Sequence, residues 1–135
     1  MTHTNNTQEN LEAVFYNLLA EGHRSDAAYD CLVLFSGGKD STYMAHMLKL
    51  ARGGRVCLFS VDNGFEAKSH FDFLKAGATK LKMDLYLYQP PFEEFVTYYN
   101  FLLTEDLLKS FDSNPLCFFC ARYFMALGLE FADRM

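Results

Sequence analysis

The sequence contains no stretch of about 18 consecutive apolar residues, so it predicts no membrane-spanning helix. Its first ten residues, MTHTNNTQEN, lack the apolar segment of a secretory signal peptide, and we therefore expect a cytoplasmic location. Basic residues form no long run and the net charge is −5, which argues against broad nucleic-acid binding by this domain. A local basic groove is still compatible with this composition.

The sequence contains four cysteines, Cys31, Cys57, Cys117 and Cys120. In a reducing compartment such residues are thiols, ligands or redox groups rather than structural disulfides. Cys31 and Cys57 stand inside apolar runs, so we expect them to be small core residues. Internal repeats, low-complexity segments and linkers are also absent, and the length of 135 residues suits one domain with a real core.

Short apolar runs alternate with helical patterns along the chain. The runs 31–35, 55–61 and 84–88 are typical of buried strands. Five helices are predicted. The first two cover residues 10–20 and 40–50, and the third follows the second strand and ends at about residue 75. The fourth runs from the QPPFEEF segment to about residue 110, and the fifth covers about 117–132. Because this alternation indicates a parallel sheet, we predict a three-layer, Rossmann-like α/β fold with helices on both faces. The polar residues 1–9 are expected to be disordered.

The motif SGGKDS, residues 36–41, follows the first predicted strand directly. Its two glycines let the backbone approach a ligand closely, and its N–H groups, with the next helix N-terminus, suit an anion. Ser36 and Ser41 add hydroxyl donors, and Lys39 adds positive charge. Asp40 fits such a site when a hard cation such as Mg²⁺ is also bound. The motif has neither Walker A spacing nor the third glycine of the dinucleotide fingerprint. A plain turn with a helix cap is the alternative.

SGGKDS after an apolar strand resembles the pyrophosphate loop of the PP-loop superfamily, the N-type ATP pyrophosphatases or adenine nucleotide alpha hydrolase-like proteins. The resemblance covers about residues 10–132. It implies ATP and Mg²⁺ as cofactors, adenylation of an acceptor and release of pyrophosphate. Ammonia or a sulfur nucleophile then displaces AMP. Lys39 and Asp40 become the candidate catalytic residues, and the implied pyrophosphate-binding residues are Ser36, Gly37, Gly38, Lys39, Asp40 and Ser41.

The segment FSVDNGF, residues 59–65, ends the second predicted strand and resembles the next element of the superfamily, where adenosine is held. The resemblance places Asp62, and with it Asn63, near the adenosine or the metal. Judged from residue types alone, the sequence Asp-Asn-Gly is equally suited to an ordinary turn. Both interpretations stay open at this point.

Cys117 and Cys120 form a CxxC motif within SNPLCFFCARYF, residues 113–124. Two thiols at this spacing suit a shared metal, a cluster or a disulfide, although a complete metal site needs further ligands. No second CxxC and no histidine pair accompanies them, and two cysteines in an aromatic core are the alternative.

The CxxC resembles that of tRNA-thiolating enzymes in the superfamily, which implies an iron–sulfur cluster or sulfur handling. Zinc at the same two cysteines is the alternative to a cluster. NPLCFFCARYF also resembles the RCYxCK stretch of sacrificial sulfur transferases, but Leu116 and Ala121 stand where that pattern has basic residues. VDNGF and KDSTY equally resemble amidotransferases that act on N-acetyl sugars.

Superfamily members usually continue with another strand, so the resemblance implies a domain at residues 10–135 that lacks its C-terminal strands. The strand at 31–35 would then have a bare edge, which a second copy or a partner chain is expected to cover. We predict ATP-dependent adenylation coupled to sulfur or amino-group transfer, with a sugar, a tRNA or a small molecule as acceptor. The alternatives are a non-catalytic nucleotide-binding module and one half of a split enzyme.

Overall fold

The structure, a computed structural model, describes residues 4–23, 25–52, 55–104 and 115–135. Its strands are β1 (Cys31–Leu34), β2 (Val56–Val61) and β3 (Asp84–Tyr88), which pair in parallel in the order β1-β2-β3. The helices in the same ranges are α1 (Thr4–Glu21), α2 (Lys39–Arg52), α3 (Lys68–Leu81), α4 (Phe92–Thr104) and α5 (Pro115–Asp133). The predicted α/β fold with a parallel sheet is therefore confirmed.

Two helices extend well beyond their predicted bounds. α1 begins at Thr4 rather than at residue 10, while disorder of residues 1–9 in solution stays a prediction. α3 continues beyond residue 75 because Ala78 is buried in the core, and it ends where Lys82 adopts the left-handed conformation. The predicted extension of α4 to residue 110 falls outside the described residues.

The sheet carries helices on both faces. On one face the strands pack against α1, α2 and α3, and the buried residues there are Leu19, Val33, Phe35, Ala45, Leu48, Val56, Leu58, Phe71, Leu74 and Ala78. On the other face Phe59 and Val61 pack against Phe95 of α4 and the aromatic side of α5. Three layers result, as the sequence predicts. Cys57 is buried and Cys31 is half-buried, so both thiols lie in or beside the core as expected.

α5 crosses back over β1 at very close range. A β-carbon on Gly128 would lie 2.7 Å from Cδ2 of Leu34, so any larger residue there would require the Leu34 side chain to move. Within the described ranges β1 is an edge strand, and the Leu34 side chain is still 40% exposed. β2 is the central strand and the most deeply buried one.

No helix in the described part of the chain is long and apolar enough to cross a membrane. The cytoplasmic location stays a prediction.

Candidate functional site

The turn between β1 and α2 brings the two serines of SGGKDS together. The hydroxyl oxygens of Ser36 and Ser41 lie 3.2 Å apart. The Gly38 N–H donates to Ser36 Oγ at 3.4 Å, and the Ser41 hydroxyl donates to the Gly38 carbonyl at 3.2 Å. Gly37 has a φ of 72°, a conformation that favours glycine. Because α2 begins at Lys39, its N-terminal N–H groups lie at the same place. This concave group of donors suits an anion.

Lys39 and Asp40 stand in the first turn of α2, and both side chains are exposed. In the described part of the chain, neither side chain makes a hydrogen bond or an ion pair. A carboxylate at a helix N-terminus interacts favourably with the helix dipole, which explains why Asp40 is compatible with the fold. Both groups are available to a ligand that approaches the turn.

A cavity of about 370 Å³ opens beside this turn, at the carboxyl ends of β1 and β2. This is where parallel sheets bind their ligands, and the volume lies within the range of small-molecule sites. Its polar lining consists of Ser36, Ser60, Glu66 and His70. Its apolar wall comes from the two strands and α5, namely Leu34, Phe35, Phe59, Val61, Ala121, Phe124 and Met125. The cavity therefore joins an apolar wall to Ser36 of the turn.

Asp62 and Asn63 line a different cavity, of about 210 Å³, at the ends of β2 and β3. The Asp62 carboxylate accepts a hydrogen bond from the Gly64 N–H, and the Asn63 side-chain oxygen accepts one from the Phe65 N–H, both at 2.9 Å. These are the bonds of the ordinary turn that Asp-Asn-Gly suggests. Neither side chain lines the cavity next to Ser36, so their roles at adenosine or metal stay predictions.

The CxxC motif occupies the beginning of α5, with Cys117 exposed and Cys120 half-buried. The Cys120 sulfur lies 3.0 Å from the hydroxyl oxygen of Tyr99 on α4. Burial raises the pKa of Cys120; the bond from Tyr99 lowers it, and the charges of Cys117 and Glu66 raise it again. Ala121, the residue after Cys120, lines the larger cavity, so the CxxC lies near that cavity.

A metal at the CxxC finds no complete set of ligands in the described ranges. Within them, no three or more His, Cys, Asp or Glu side chains are grouped so that they could share a metal ion. Cys117 and Cys120 could therefore supply only part of a zinc or iron–sulfur site, and such a site stays a prediction.

Three polar residues that line the larger cavity are not predicted as site residues from the sequence. Ser60 interrupts the apolar run of β2 near its carboxyl end, and this interruption is a signal that could have identified it. Glu66 and His70 have no such signal, because their position depends on how α3 packs against the sheet. The wall formed by α5 also depends on tertiary packing, since that helix crosses back over β1.

No protein-family model matches the chain, and no curated protein matches it. Its fold is similar to that of a solved structure, the NH3-dependent NAD synthetase from Campylobacter jejuni subsp. jejuni NCTC 11168 in complex with the nitrate ion. The TM-score is 0.59 and the sequence identity is 16%. The two proteins share a fold. The match covers 93% of this chain and 52% of the synthetase, so the chain spans about half the length of that structure.

Proposed function

We propose that the protein binds ATP at residues 36–41 and in the larger cavity, and that it adenylates an acceptor with release of pyrophosphate. One observation carries this proposal: Ser36 lines that cavity, and its hydroxyl lies 3.2 Å from the hydroxyl of Ser41, in the turn that leads into α2. Phosphates on the turn would leave the adenine against the apolar wall, which includes Phe59 and Phe124. The synthetase with a similar fold belongs to the PP-loop superfamily, which supports the same reaction class.

The donors of the turn suit the charge that develops in this reaction. The acceptor oxygen attacks the α-phosphorus, and the bond from that phosphorus to the bridging oxygen breaks. The electron pair leaves with pyrophosphate. In this proposal the negative charge on the leaving group is stabilised by the hydroxyls of Ser36 and Ser41, the backbone N–H groups and the Lys39 ammonium. A nitrogen or sulfur nucleophile then attacks the adenylated acceptor, and AMP departs.

The residues of the turn also fit a magnesium ion that arrives with ATP. Asp40 offers an exposed carboxylate next to the phosphate position, and Mg²⁺ prefers one or two carboxylates together with phosphate oxygens. Asp40 would hold the metal and Lys39 would contact the phosphates, and the bound Mg²⁺ would neutralise phosphate charge.

We favour amino-group transfer for the second step, because the structural neighbour is named as NH3-dependent. Sulfur transfer is the second candidate, since the half-buried Cys120 directly precedes Ala121, which lines the cavity. Zinc or a cluster at Cys117 and Cys120 would require further ligands from outside the described residues. The acceptor is a sugar, a tRNA or a small molecule.

We also propose that a second copy or a partner chain covers the outer edge of β1. In the described ranges this edge has no neighbouring strand, and Leu34 beside it is partly exposed. Open apolar edges pair readily with other chains.

Acceptor-dependent release of pyrophosphate tests the proposed reaction. The protein is incubated with Mg·ATP, ammonium or sulfide, and a panel of sugars, tRNA and small carboxylates. We expect pyrophosphate and AMP to form only with the correct acceptor, and neither to form with the Ser36→Ala/Ser41→Ala variant. ATP binding without pyrophosphate under every condition would contradict catalysis and favour a nucleotide-binding module or one half of a split enzyme.

A further inference from the structure

A basic groove lies between the C-terminal parts of α2 and α3, far from the turn at 36–41. Its volume is about 430 Å³, and its lining residues are His46, Lys49, Leu50, Lys80, Leu81 and Lys82. No acidic side chain lines it within the described residues, although the whole chain has a net charge of −5. The nearest acid along the chain is Asp84, whose carboxylate accepts a hydrogen bond from the Tyr29 hydroxyl at 2.7 Å.

Lys82 holds an unusual backbone conformation at the edge of this groove. It ends α3 with φ and ψ of 53° and 53°, in the left-handed region where glycine is the usual residue. The Met83 N–H donates to the Ala78 carbonyl and the Lys82 N–H to the Thr79 carbonyl, both at 3.1 Å, which completes the helix cap. A lysine at this position carries a conformational cost that glycine would avoid.

Lys49 fixes the geometry of the groove. Its ammonium donates to the carbonyl oxygens of Leu81 and Lys82, so α2 holds the end of α3 in place. The Lys80 and Lys82 side chains take no part in these bonds, and both residues are exposed. The groove is therefore lined by the ammonium groups of Lys80 and Lys82 and by the exposed imidazole of His46.

We propose that this groove binds the phosphate backbone of a nucleic acid. Lysine ammonium groups are point-charge partners for phosphate. Interfaces with nucleic acids are more polar and more positively charged than those between proteins, and this groove has no aromatic side chain to anchor a protein partner. The helix dipole alone would also favour lysines at the end of α3, and the experiment separates these two explanations.

The proposal does not rest on the ATP chemistry. Lys82 comes just before β3 begins at Asp84, so the groove lies at the amino ends of the strands, opposite the cavity. Binding there contacts backbone phosphates and is independent of base sequence. With two lysines and a histidine involved, we expect weak binding with a salt slope of about −2.

Substitution of Lys82 by glycine separates stability from binding. Lys82→Gly removes a charge from the groove and also relieves the left-handed lysine, so the melting temperature should rise by about 3 °C. Fluorescence anisotropy with a short labelled RNA duplex should show affinity falling about three- to tenfold and the salt slope shrinking by about 1. The double variant Lys80→Ala/Lys82→Gly should lose more. Lys75→Ala, a lysine of the same helix outside the groove, should change affinity less than about twofold.

Several results would overturn the proposal. These are an unchanged affinity in a stabilised Lys82→Gly protein, an equal loss in Lys75→Ala, or no binding by the wild type at low salt. Tighter binding to phosphatidylserine vesicles or to polyglutamate than to RNA would also overturn it, in favour of a membrane or an acidic protein. Asp40→Ala should bind RNA normally, so a failure of the proposed ATP site is distinguishable from a failure of the groove.

Discussion

Gly37 lies directly against the side chain of Leu74: a β-carbon on residue 37 would stand 2.7 Å from Leu74 Cδ2. It would also approach Cε1 of Phe73 to 3.0 Å. The turn that carries the serines is therefore pressed onto α3, which fixes its position relative to the cavity.

Gly37→Ala should lower the free energy of unfolding by about 2–3 kcal/mol, because the new methyl group collides with α3 and the positive φ disfavours alanine. Urea unfolding measures the loss. Gly38→Ala is the matched control, since its β-carbon would have only Ser36 Oγ nearby, at 3.5 Å. That variant should change stability by less than about 0.5 kcal/mol. Equal stability of the two variants would contradict the close contact.

The variants Asp40→Ala and Ser36→Ala/Ser41→Ala should each weaken Mg·ATP binding by at least about tenfold, because charged and hydroxyl contacts to phosphate are lost. Their folds should persist, since Ser36 and Asp40 are exposed and Ser41 is only partly buried. Calorimetric titration measures affinity, and circular dichroism confirms folding. Wild-type affinity in folded variants would refute the assignment of the turn to phosphate.

Much of this site follows from local pattern. The strand 84–88 is predicted at its observed bounds, and the turn at 36–41 is predicted with its flanking strand and helix, because apolar runs and glycines report local backbone requirements. The sequence cannot place α5 over β1, since nothing local encodes which sheet face a distant helix covers. Glu66 enters the cavity for the same tertiary reason, and the left-handed Lys82 departs from the glycine expected at a helix end.

Tyr99→Phe should raise the pKa of Cys120 further. The Tyr99 hydroxyl bond is the one contribution that lowers this pKa, while burial and nearby negative charge raise it. The rate of alkylation by iodoacetamide, followed by peptide mass spectrometry in a Cys117→Ser background, reports the thiolate fraction as pH changes. The pH at which the alkylation rate reaches half of its maximum should be higher in the Tyr99→Phe variant. A midpoint that stays constant or moves lower would show that the bond does not act on the thiol.

Asp30 should make stability sensitive to acid. Burial opposes its charge, but hydrogen bonds and charges from His23 and Arg55, at 2.8 and 3.1 Å, hold its pKa below the usual value. A lowered folded-state pKa gives stability that is present above about pH 4 and lost as pH falls through the folded value. Asp30→Asn should lower the free energy of unfolding measured in urea at neutral pH. It should also make that free energy depend less on pH in the acid range. The exposed control Asp72→Asn should retain the wild-type dependence of unfolding free energy on pH. If Asp30→Asn also retains this dependence, Asp30 is not the cause of the acid sensitivity.

Sedimentation velocity at micromolar concentration should show a species larger than the monomer, because the outer edge of β1 offers unpaired backbone groups. Dilution should shift this species towards the monomer, because association between chains depends on protein concentration. A stable wild-type monomer that binds ATP normally would show that the edge needs no second chain.

The contact of Gly128 with Leu34 joins segments that are about a hundred positions apart in the chain. Such distant contacts form late, because the intervening chain must be ordered first. The core on the opposite face of the sheet uses residues from Leu19 to Leu87 and is complete in sequence long before α5 is made. During synthesis, when the amino-terminal part emerges first, the turn at 36–41 is therefore made before α5, which supplies one wall of the larger cavity.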